Sequence, residues 1–98
     1  MKLKDDHALK KPNNLFDAVT KIETKAEAQK FLGDLCTPAE IEAFADRWRV
    51  AQMINEGIPY RKITEETGVS SATVTRVARF LNQGYGGYKI ILEKMVDN

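Results

Sequence analysis

The stretch Tyr60-Arg-Lys-Ile-Thr-Glu-Glu-Thr-Gly-Val-Ser-Ser-Ala-Thr-Val-Thr-Arg-Val-Ala-Arg-Phe-Leu81 decides how this chain folds. It reads as two short helical segments broken at Gly68, a helix-turn-helix unit over residues 60–82. In such a unit the two helices cross steeply, and a few positions must be apolar to fill the crossing. Counted from the turn glycine they fall five before, one after, six after and nine after, and here they are Ile63, Val69, Val74 and Val77. Gly68 supplies the positive φ of the turn without a steric penalty. Thr64 and Thr67 stand where alanine and an apolar residue are more usual; the threonine methyl keeps both compatible with the packing.

On the second helix, Val74, Val77, Ala78 and Leu81 recur at i, i+3, i+4 and i+7 and form the expected buried stripe. The remaining face carries Ser71, Ala72, Thr73, Arg76 and Arg79, with Thr75 on its flank, and no acid. Arginine can address guanine or phosphate, serine and threonine can bond to bases or phosphate, and alanine can meet a thymine methyl. Ser70 is a good N-cap, and free N–H groups beside it suit a phosphate. Arg61 and Lys62 add charge at the start of the preceding helix, with Glu65 and Glu66 expected to face away. Duplex DNA is therefore the expected partner. The plain alternative is a surface helix pair whose arginines are merely solvated.

Outward from this unit the pattern stays helical. Thr24 and Glu27 form a capping box that opens a helix near Lys25, with Ala28, Phe31, Leu32 and Leu35 on one stripe. Thr37, Pro38 and Glu40 repeat the signal, with proline at the first helical position. Ile41, Phe44, Ala45, Trp48, Ala51 and Ile54 follow as the expected apolar stripe, and Gly57 and Pro59 close the helix. A shorter helix is expected over Leu15 to Ile22, capped by Asn13 or Asn14. After Gln83-Gly84-Tyr85-Gly86-Gly87 a last helix is expected from Tyr88 to about Val96. Residues 1–12 read as a mobile polar arm, and 13–98 as one helical domain.

Composition agrees with a small soluble domain. The sequence has 98 residues, 43 % hydrophobic and 30 % charged, with 15 Lys plus Arg against 14 Asp plus Glu. That balance points away from disorder, and no apolar run approaches the roughly 18 to 20 residues of a membrane span. The lysine-rich start lacks the apolar stretch of a secretion signal. A single cysteine, Cys36, rules out an internal disulfide and suits a reducing cytoplasm. One histidine and one cysteine do not make an ordinary zinc site. No catalytic triad, carboxylate dyad or metal cluster is evident, so no enzyme is expected. Net charge of +1 does not itself advertise DNA, so that expectation rests on where the charges sit.

The run Cys36-Thr-Pro-Ala-Glu-Ile-Glu-Ala-Phe-Ala-Asp-Arg-Trp-Arg-Val50, followed by Ser71-Ala-Thr-Val-Thr-Arg76, resembles the tryptophan repressor family, and its shorter relatives of the YerC/YecD type most closely. The similarity covers about Thr37 to Leu81. It implies an all-α fold of about six helices, an intertwined homodimer, and a transcriptional regulator, most simply a repressor. Two reading helices about 34 Å apart would then meet successive major grooves of a palindromic operator. The family's DNA contacts fall here on Arg61, Ser71, Ala72, Thr73, Thr75 and Arg76, with Arg79 expected to touch phosphate. The resemblance also places an effector pocket at Thr37, Arg47 and Arg76. Val77 adds bulk where the family has a small glycine, and Phe80 replaces a serine that would hold an amino group. Both changes disfavour tryptophan as co-repressor in the same pose. The competing class is a protein-interaction adaptor that keeps the helix-turn-helix fold without touching DNA.

Overall fold

The computed structural model describes residues 7–10 and 13–96, and among these every regular element is a helix. In order they are α1 (His7–Lys10), α2 (Leu15–Val19), α3 (Lys25–Leu35), α4 (Pro38–Asn55), α5 (Tyr60–Thr67), α6 (Ser71–Gln83) and α7 (Gly87–Val96). Of the expected N-terminal arm, His7–Lys10 forms one helical turn; positions 1–6, 11 and 12 lie outside the described residues. The chain divides within α4, between Ala43 and Phe44, into two compact units.

The unit that begins at Phe44 holds the core. Val50, Ala51, Met53, Ile63, Val74 and Val77 are buried together, with Trp48, Ile54, Ile58, Val69 and Tyr88 packed around them. Ile63 and Val74 are fully excluded from solvent, and each such side chain contributes about 1.5–3 kcal/mol by leaving water. The four apolar positions counted from Gly68 thus do the work expected of them. Gly68 has φ 75° and ends α5 in the left-handed conformation, its N–H donating to the Thr64 carbonyl. α5 and α7 both pack on α6, whose stripe of Val74, Val77, Ala78 and Leu81 is buried as expected.

Of the stripe Ile41, Phe44, Ala45, Trp48, Ala51 and Ile54, α4 brings Trp48, Ala51 and Ile54 to this core, joined by Val50 and Met53 from beside it. Val50 and Met53 are buried, whereas Ala45 is exposed and Phe44 is 46 % exposed. The C-terminal half of the helix is apolar on two sides, and α5 and α6 decide which side is covered. The helix stops where Gly57 was expected to stop it. Gly57, with φ 83°, donates its N–H to the Ile54 carbonyl, and Ile58 donates to that of Met53. These two bonds complete a Schellman cap.

In the other unit both capping boxes form. The Thr24 hydroxyl accepts from the Glu27 N–H while the Glu27 carboxylate accepts from the Glu23 N–H. At α4 the exchange is fully reciprocal between Thr37 and Glu40. α2 ends at Val19 rather than Ile22, because the Lys21 and Ile22 N–H groups bond three residues back, to Ala18 and Val19, which tightens the last turn out of α geometry. At its start Asn13, not Asn14, supplies the side-chain acceptor, taking the Leu15 N–H at 2.8 Å. Neither α2 nor α3 contains a buried residue.

Candidate nucleic-acid interface

The start of α6 is built by Ser70. Its hydroxyl accepts the Thr73 N–H at 3.1 Å and donates to the Thr73 hydroxyl at 3.0 Å. One side chain therefore caps the helix and orients the next hydroxyl, whose own proton remains available for an acceptor. Ser71, Ala72, Thr75, Arg76 and Arg79 are exposed and Thr73 is half-buried, while the opposite face forms the core. No acid occurs anywhere in α6, so its outer face is cationic and hydroxylated.

α5 contributes Arg61, whose side chain is 91 % exposed. The expectation that Glu65 and Glu66 face away from the basic residues is corrected here. Arg61 Nε lies 3.6 Å from Glu65 Oε2, and Lys62 Nζ lies 3.9 Å from Glu66 Oε1. The reason is helical geometry: residues four apart stand one above the other on the same side. The i,i+4 spacing was visible in the sequence and gives this result directly. Both pairs are exposed and therefore weak and salt-sensitive.

Arg47 and Arg76, which the resemblance assigns to an effector pocket, do line a common cavity. It measures about 130 Å³ and is completed by Val77, Phe80 and Tyr88. Each guanidinium carbon sits over an aromatic ring of its own helix. Arg76 lies 4.6 Å from the Phe80 ring centre, and Arg47 lies 5.2 Å from that of Phe44. Both distances are within cation–π range. Thr37, the third residue of that set, uses its hydroxyl to cap α4. Trp48 is half-buried and stacks on Tyr88 at 6.4 Å with 12° between the planes, which gives it the structural role expected. Sequence reasoning took Phe80 only as a lost hydrogen-bonding residue; its spacing of four from Arg76 was the signal for the contact between them. Nothing local pointed to Tyr88, which reaches the cavity from α7.

Among the described residues no cluster of His, Cys, Asp and Glu could hold a metal, and no helix is long and apolar enough to cross a membrane. The fold and this face define an all-helical protein built around a helix-turn-helix. The family model of the Trp repressor protein matches residues 10–96. The chain belongs to the Trp repressor family. Among its relatives, the uncharacterized protein YerC of Bacillus subtilis is 41 % identical over 86 residues, covering 88 % of this chain and 83 % of YerC. A Trp operon repressor homolog of Actinobacillus succinogenes is 28 % identical over 86 residues, covering 87 % and 85 % of the two chains. Among solved structures, a TrpR-like protein from Eubacterium eligens superposes with a TM-score of 0.79 at 40 % identity, over 84 % of each chain. A candidate Trp repressor from Staphylococcus aureus gives the same TM-score at 43 % identity, over 84 % of this chain and 82 % of that one.

Proposed function

We propose that this chain is a cytoplasmic transcriptional regulator, not an enzyme, that binds duplex DNA as a homodimer and acts as a repressor. The observation that carries the reading is the outer face of α6, which is free of acids, exposed, and set on a helix whose other face is core. Arg76 would address a guanine edge or a phosphate. Ser71, Ala72, Thr73 and Thr75 would meet base edges and backbone near the helix start. Arg61 and Arg79 would hold phosphates on either side. Two copies related by a twofold axis would read a palindrome with half-sites about one helical turn apart.

A second copy is supported by the apolar surface left over. Phe16 on α2, Leu35 on α3, and Ile90, Ile91 and Met95 on α7 are each roughly half exposed. A groove of about 270 Å³ runs along α3 past Ala28, Leu32 and Gly33 to Ile41. Such surface on a small domain marks an interaction site.

Selection of sheared genomic DNA by the purified chain at near-physiological salt tests the reading, followed by sequencing of the retained fragments. Enrichment of a palindrome is the expected result. Arg76→Ala should then weaken binding to that site by about 1–3 kcal/mol, the worth of a good base contact, and affinity should fall steeply with salt. Equal DNA affinity for the wild type and for the chain lacking both Arg76 and Arg79 would favour the adaptor. Sedimentation at several concentrations tests the dimer.

A further inference from the structure

The position of Arg76 is fixed by something other than its place on the helix. Its guanidinium lies over the Phe80 ring at 4.6 Å, and Phe80 in turn is half-buried at a cavity walled by Val77, Tyr88 and Arg47. A guanidinium held over a ring is restrained in position while its N–H donors can still be offered to another acceptor. A guanine edge or a phosphate is such an acceptor. Without the ring, a long, exposed side chain would sample many rotamers and would have to be ordered on binding.

We infer that Phe80 is a positioning residue for Arg76, so that the DNA-facing geometry of this arginine is set within the chain and needs no small-molecule effector. The inference rests on the DNA reading above. The cavity agrees with it. At about 130 Å³ it is slightly smaller than the roughly 150 Å³ that holds benzene. Both guanidiniums at its rim already have an aromatic partner, since Arg47 is over Phe44. One face of each guanidinium is thereby taken up within the chain.

The test compares wild type, Phe80→Leu and Phe80→Tyr. Each full-length chain is refolded from denaturant to strip bound small molecules and assayed on the palindrome retained from genomic DNA. Leucine keeps apolar bulk without a π face; tyrosine keeps the face. Phe80→Leu should lose about 2- to 30-fold in specific affinity, the range of a cation–π contact expressed as binding. Phe80→Tyr should restore affinity to within about twofold of wild type, and circular dichroism should show all three chains folded at the assay temperature. The Arg76 side-chain protons should show an upfield ring-current shift in wild type and Phe80→Tyr that is absent in Phe80→Leu. Wild-type binding that rises about tenfold or more with any of the common amino acids, a range typical of allosteric coupling, would overturn the inference. So would Phe80→Leu binding as tightly as wild type. If wild type retains no duplex with or without the amino acids, the DNA reading itself falls. A wild type that binds alongside an equally competent leucine variant removes only the role of Phe80.

Discussion

Gly68→Ala isolates the turn on which the helix-turn-helix depends. The residue has φ 75°, and a Cβ built on it meets no heavy atom within 4 Å. The cost is therefore conformational and free of any clash. Placing alanine in the left-handed region costs about 1–2 kcal/mol, and the less flexible unfolded chain returns about 0.4–1 kcal/mol. The net loss is about 1 kcal/mol, and for a domain of this size each kcal/mol moves the thermal midpoint by about 4–8 °C. Gly33→Ala is the matched control. Within its own chain it too has nothing within 4 Å of an added Cβ, but it lies inside α3 with no left-handed φ. There alanine should stabilise by about 0.5–1 kcal/mol. Circular dichroism melts of both variants at one fixed protein concentration, fixed because association moves the midpoint, should shift in opposite directions. Gly68→Asn should lie between wild type and alanine, since asparagine visits the left-handed region more readily. An unshifted midpoint for Gly68→Ala, or asparagine as damaging as alanine, would refute the assignment of the turn strain.

Other expectations concern charge and core. Glu65→Gln removes the carboxylate 3.6 Å from Arg61 and should raise DNA affinity severalfold at low salt, with the gain fading as salt screens the exposed pair; a gain that persists at high salt would point to a direct contact instead. Ile63→Ala opens a hole in the centre of the core, where the side chain is fully buried, and should cost about 2–5 kcal/mol in denaturant unfolding.

The helix-turn-helix could be read from the sequence because its information is local. Gly68, the four apolar positions and the Ser70 cap sit within a few residues of one another, and each answers a separate steric demand. The capping boxes at Thr24 and Thr37 were readable for the same reason. α4 was harder, since Phe44, Trp48, Val50 and Met53 make it apolar on more than one side. Only the placement of α5 and α6 settles that Val50 and Met53 go inside. The base-bearing face of α6 was visible by subtraction of its core stripe, whereas the cavity beneath Arg76 was not. Its walls come from α4, α6 and α7, and no periodicity within one helix brings Arg47, Phe80 and Tyr88 together.

Thr67 closes α5 at a position where an apolar residue is more usual. Its hydroxyl donates to the Ile63 carbonyl at 2.7 Å and accepts the Val69 N–H at 3.1 Å. The hydroxyl thus acts as a polar rung joining the end of α5 to the chain that leads into α6. An amide in a three-residue connection ordinarily exchanges with solvent deuterium almost as fast as in a free peptide. Here the Val69 amide can exchange only when the rung opens, and the rung is anchored to the carbonyl of the most deeply buried residue of α5. Its exchange should therefore be slower than in a free peptide by the cost of opening that rung.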